Sequence, residues 1–137
     1  MKNIHYIYIL PLFLMATLIG CRQKSYLEQI ASDAKEFTQK QCPKQMDACT
    51  CLDSTVFHIP TLAYHYNYTV SDELDNDTLF TGETRQTLHN ALLSDIKTSI
   101  ELKGYKDSGL TLSYRYFSAS TGELLAEFTF SKEDYTH

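Results

Sequence analysis

Apolar residues recur along this chain with two different periods. Leu27, Ile30, Ala34 and Phe37 fall every three or four positions, which predicts an amphipathic helix over residues 26–40. Ser25-Tyr26-Leu27-Glu28 fits a capping box at its start, and Pro43 stops it. Leu62, Tyr64, Tyr66, Tyr68 and Val70 alternate with Ala63, His65, Asn67 and Thr69, a period of two that predicts a strand over residues 62–70 with one bulky and one polar face. A strand over residues 53–59 is expected before it, with a bend at Pro60-Thr61. Residues 44–52 read as polar and irregular, and residues 71–77 as an acidic loop. Leu88, Leu92 and Ile96, continued by Ile100, predict a second helix over roughly 82–98; Gly104 ends any extra turn, with Lys103 near the negative end of the dipole. Leu110, Leu112, Tyr114 and Tyr116 alternate on a third strand and Leu124, Ala126, Phe128 and Phe130 on a fourth, joined through residues 118–122.

The element order is α-β-β-α-β-β. Strands with one apolar face need a cover, and two amphipathic helices supply it. The expected fold is α+β and two-layered, a four-stranded antiparallel sheet covered by two helices. It forms a single domain over residues 26–131, with a C-terminal tail at 132–137. A chain of 137 residues suits one such domain, and 43% hydrophobic against 21% charged residues excludes disorder of the whole chain.

The N-terminal segment carries a different signal. Lys2 precedes a nearly continuous apolar run from Ile7 to Ile19, the layout of a secretory signal peptide. The run closes on Leu18-Ile19-Gly20-Cys21, which resembles a bacterial lipobox. Residues 1–20 are therefore read as a lipoprotein signal peptide, cleaved between Gly20 and Cys21, and residues 21–25 as the lipidated cysteine and a short tether. An uncleaved anchor helix is the competing reading, but residues 4–20 are short for a span and Pro11 interrupts them. Palmitate-class acyl chains on Cys21 would hold the protein to the cell membrane or the outer membrane, with the domain on the periplasmic side. Arg22, rather than Asp, follows the cysteine, which by resemblance to the lipoprotein sorting rule favours the outer membrane.

The net charge is −5, and cutting before Cys21 removes only one lysine, so the mature domain is more acidic still. No basic stripe is present to neutralise phosphates, which excludes nucleic acid as a partner.

Phe37 to Cys42-Pro43, then Asp47, Thr50 and Leu52-Asp53, then Leu62-Ala63-Tyr64-His65-Tyr66-Asn67-Tyr68, together with Ile96-Lys97-Thr98-Ser99 and Asp107-Ser108-Gly109-Leu110-Thr111, make the mature chain resemble an uncharacterised family of small exported bacterial domains. The resemblance covers roughly residues 30–131. It implies a fold and an exported setting and no activity. Cys51 stands where that family tends to carry a basic residue before Leu-Asp.

Candidate chemistry is sparse. Outside the cytoplasm thiols tend to pair, and Cys42 is expected to bond with Cys49 or Cys51, leaving one cysteine over; a Cys49–Cys51 bond would close a strained ring. The same three with His58 would make a metal site of non-standard spacing, so no metal is expected. Asp72, Glu73, Asp75 and Asp77 do not fit the register of an EF-hand loop. The histidines pair with no Ser or Cys nucleophile at a recognisable spacing, which argues against an enzyme and against any cofactor. The Tyr stripe reads as core, or as a groove for a hydrophobic or glycan ligand. His65 and Arg115 share the opposite, exposed sheet face, the expected place for an envelope protein partner. The leading reading is a membrane-anchored exported lipoprotein acting as a non-catalytic binding module. A small-ligand carrier comes second, and an envelope enzyme using Asp53, His58 or His65 third.

Overall fold

The computed structural model describes residues 24–137, so the signal peptide, Gly20 and Cys21 lie outside the described residues. The first helix, α1 (Tyr26–Gln41), starts on the expected capping box: the Ser25 hydroxyl accepts from the Glu28 amide at 3.2 Å, and the Glu28 carboxylate accepts from the Ser25 amide at 2.8 Å. It buries Ile30 and Ala34, and ends where Cys42 takes the extended backbone that a following proline favours.

The sheet has five strands in the order β1 (Lys44–Gln45), β2 (Thr50–His58), β3 (Ala63–Val70), β4 (Thr111–Ser118) and β5 (Leu124–Phe130). Two features correct the four-stranded antiparallel expectation. A two-residue strand β1 pairs with Leu52 and Cys51 inside the segment read as irregular. Strands β3 and β4 are parallel, with Tyr66 beside Tyr114 and Tyr68 beside Tyr116, while the other pairs are antiparallel. The physical reason is the connection: a chain that climbs one strand and returns through a helical crossover lays the next neighbouring strand alongside in the same direction. Here that crossover holds 3-10 turns at Asp72–Leu74 and Asp77–Phe80, then α2 (Gly82–Thr98) and the short α3 (Lys103–Asp107).

Strand β2 starts earlier than expected because a bulge between Leu52 and Ser54 shifts its alternation by one residue. Thr50 and Leu52 point to the helices before the bulge, and Thr55 and Phe57 after it. Thr55 bolts this strand to α1. Its hydroxyl donates to the Ala34 carbonyl at 2.9 Å, its amide donates to the Thr38 hydroxyl at 2.8 Å, and that hydroxyl donates to the Thr55 carbonyl at 3.0 Å.

The end of α2 is capped from an unexpected residue. Lys106, not Lys103, sends its ammonium to the carbonyls of Ile96, Lys97 and Ser99 at 2.8, 3.0 and 3.0 Å, while Lys103 pairs with Asp107. The C-terminal residues hold a short helix: α4 (Lys132–Tyr135) buries Tyr135, whose hydroxyl donates to the Leu110 carbonyl at 2.7 Å. The core lies between the helices and one face of the sheet, centred on Ile96, Leu110, Leu112 and Phe130, all fully buried.

Thr38→Val should cost roughly 1–3 kcal/mol, because it leaves the Thr55 amide without its acceptor, whereas Thr38→Ser should cost much less; urea unfolding of the two variants reads the difference.

Candidate functional site

Both long helices lie on the same side of the sheet, but over different strands. Helix α1 leans on β2. Helix α2 covers β5, with the His89 ring 4.9 Å from Phe130 and the Arg85 guanidinium 4.5 Å above Phe128. Beneath the gap run the tyrosines. Tyr66 stacks on Tyr114 with centroids 5.0 Å apart, and Tyr68 on Tyr116 at 5.2 Å. Tyr114 is buried; Tyr66, Tyr68 and Tyr116 stay half-buried. Burial pushes Tyr68 up to about 12 and raises Tyr66, Tyr114 and Tyr116 as well, so this floor stays uncharged over the physiological range.

At one end the gap deepens into a cleft of about 490 Å³ lined by Val70, Leu74, Leu79, Phe80, Leu88 and Tyr116, with Asp47, Thr84, Thr87 and Ala91 on its rim. Phe80 is the residue that shapes it: it is buried, and its ring lies 5.5 Å from Tyr116. Sequence reasoning passed over Leu79 and Phe80, although two apolar residues between an acidic loop and a helix were the available signal.

Among the described residues, no helix covers the other face of the sheet. The register sets Ser54, Asn67, Arg115 and Glu127 in one row, and Val56, His65, Ser113 and Thr129 in the next. His65 and Arg115 share this face, but both are half-buried there rather than exposed. Asn67 donates to Ser54 at 3.0 Å and Ser113 to Glu127 at 2.7 Å, while the Arg115 guanidinium lies over Phe117 at 5.2 Å. Among the described residues, His65 Nδ1, Asn67 Oδ1 and Arg115 Nε are buried without a hydrogen-bond partner.

Among the described residues, Asp53, His58 and His65 are not joined to one another by hydrogen bonds. Asp53 accepts from Thr69, His58 is within 2.9 Å of the Thr61 hydroxyl, and neither is joined to His65. Cys42, Cys49 and Cys51 stand as free, half-buried thiols; burial, helped by the Asp53 carboxylate, pushes Cys42 and Cys51 up. His58 lies at the far end of β2 from these cysteines, and among the described residues no group of three or more His, Cys, Asp or Glu side chains could hold a metal ion. Asp75 is spoken for by the fold: hydrogen bonds from Ser118 and Ser120 hold its carboxyl below the usual range and tie the acidic loop to the β4–β5 turn.

A family model described as a domain of unknown function, DUF8479, matches residues 25–126. The chain belongs to this family. The match spans α1 through the first three residues of β5, so the cleft and the part of the uncovered face on β2, β3 and β4 fall within the DUF8479 region. No curated protein matches the chain. Solved structures share the fold of this DUF8479 domain. A Pseudomonas aeruginosa protein described as secreted aligns with a TM-score of 0.62 at 9% identity, covering 82% of this chain and 98% of its own. The pilotin of the Vibrio vulnificus type II secretion system aligns at 0.58 and 12% identity, covering 81% and 93%. The type II secretion system pilotin of Vibrio cholerae aligns at 0.55 and 16%, covering 79% and 91%. No helix among the described residues is long and apolar enough to cross a membrane.

Burial, followed by the positive charge of Arg115, holds the His65 imidazole below its ordinary range; His58 adds to this and Glu127 opposes it. A lowered folded value means that the unfolded chain takes up the proton first. Stability should therefore fall as pH drops below about 6.5, and His65→Gln should flatten that part of the profile in urea midpoints measured from pH 7.5 to 5.

Proposed function

We propose that the mature protein is a lipid-anchored, non-catalytic interaction module of the cell envelope that receives a protein partner in the cleft between α2, the Asp77–Phe80 turn and the sheet. The observation that carries this reading is the cleft itself. It is apolar at its base, polar at its rim, and opens beside a tyrosine floor that the helices leave half-covered. Apolar pockets with a few polar rim groups are where binding energy concentrates. The fold supports the same reading, because pilotins of type II secretion systems are built on it. The lipobox at Leu18-Ile19-Gly20-Cys21 supplies the anchor and the periplasmic setting.

A hydrophobic small ligand is the second reading, favoured by a cleft volume of about 490 Å³, within the range of roughly 300–1,000 Å³ of small-molecule sites. A glycan fits less well, because Tyr66, Tyr68, Tyr114 and Tyr116 spend ring faces on one another.

The anchor is read directly by mass. Protein extracted from membranes should begin at Cys21 and carry acyl chains, and an intact Met1 terminus would refute it.

The cleft is read by crosslinking in intact cells followed by pull-down of the native lipidated protein. One dominant envelope protein should be captured. It should be lost with Thr87→Arg/Ala91→Arg, both exposed on the rim, and kept with His65→Ala/Arg115→Ala. Loss with the second pair alone would move the site to the uncovered sheet face.

A further inference from the structure

The two ends of the domain differ in a way the proposed interaction site does not use. One end gathers the start of α1, the turn between β2 and β3, and the turn between α2 and α3. Three large apolar residues stand out there: Tyr26 is 53% exposed, Ile59 36% and Ile100 87%. They are neighbours through the fold. The Tyr26 hydroxyl lies 2.6 Å from where a Cβ on Gly104 would stand, so Tyr26 rests against α3 at Gly104, and α1 packs on the Ile59–Thr61 turn. Lys24 and Lys97 are exposed at this end with Glu101, while Lys103 and Asp107 neutralise each other.

The opposite end is acidic. Asp72, Glu73, Asp75 and Asp77 share a concavity with Glu123, and Asp47 stands at the neighbouring cleft. The separation of the ends is set by β3, whose eight residues span roughly 25 Å at ~3.3 Å each.

We infer that the end carrying Tyr26, Ile59 and Ile100 rests on the lipid bilayer that holds Cys21, with Ile100 and Tyr26 in the headgroup layer. The inference rests on the lipid-anchor reading, and it gives the domain an orientation which that reading lacks. The tether decides it. Four residues from Cys21 to Ser25 reach at most about 14 Å, too short to bring the acidic end to the surface. Charge agrees: this end mixes Lys24, Lys97 and Lys132 with Glu101 and, on α4, Glu133 and Asp134, whereas the unbalanced carboxylates of Asp72, Glu73, Asp75, Asp77 and Glu123 stand beyond the Debye length of about 8–10 Å. A tyrosine at the water-lipid boundary and an aliphatic side chain below it are the side chains this layer favours.

The chain contains no tryptophan, so one introduced residue reports alone. Ile100→Trp and Leu124→Trp, the latter beside the acidic end and 44% exposed, are made in the full lipidated protein. Each is reconstituted into phosphatidylethanolamine–phosphatidylglycerol vesicles, with and without brominated acyl chains. The Ile100→Trp emission should shift to the blue and be quenched by bromolipid, and the Leu124→Trp emission should do neither. A blue shift without quenching would mean that protein covers this end, and would overturn the proposal. Emission unchanged at both positions, in protein that floats with the vesicles, would overturn it and leave the anchor standing. Protein that does not float would bring down the anchor and this orientation together.

Discussion

The parallel pairing of Ala63–Val70 with Thr111–Ser118 organises the rest of the molecule. In that register, residues of equal phase on the two strands stand side by side, so tyrosines spaced by two on each strand meet as stacked pairs at 5.0 and 5.2 Å. Both strands sit inside the sheet, flanked by β2 and β5, and their pairing demands a crossover long enough to return the chain to its starting end. That crossover is α2 with its flanking turns. It lies on the tyrosine side, where α1 already covers β2, so among the described residues both long helices lie on that one side.

Two surfaces follow from this one constraint. The tyrosine side becomes a core wherever a helix lies over it, and a groove where the helices part. Four aromatic rings cannot be buried by two helices leaning on outer strands, so Tyr66, Tyr68 and Tyr116 remain half-exposed, and the Leu79–Phe80 pair closes one end into a cleft. The other side carries rows of Ser, Asn, His, Arg and Glu, of which His65, Asn67 and Arg115 are half-buried and Ser113 is buried. Among the described residues the tyrosines are held neutral, the Cys42 and Cys51 thiols are pushed away from the thiolate form, and Asp53 is engaged by Thr69. What the described domain offers is shape and apolar area.

Much of this was legible in the sequence, for reasons that can be named. The capping box at Ser25 and the strict alternation in Ala63–Val70 are local signals, and local structure obeys them. The start of β2 was not legible, because a bulge at Asp53 breaks its period, and the chain before it pairs as a strand of only two residues. Strand direction was not legible either: an alternating segment pairs equally well in both senses, and only the route of the crossover decides. The cleft was hidden because Leu79 and Phe80 belong to no periodic element. Lys106 was hidden because it caps a helix ten residues away, whereas Lys103 looked better placed along the chain. The uncovered face was the opposite case, since His65 and Arg115 were placed together by alternation alone.

The central claim is that binding occurs in the cleft on the helix side. A photocrosslinking amino acid placed at position 87 on the cleft rim, and separately at position 65 on the bare face, tests it in living cells at the level of single residues. The account predicts one discrete crosslinked envelope protein from position 87 and none from position 65. A product from position 65, with none from 87, would contradict it.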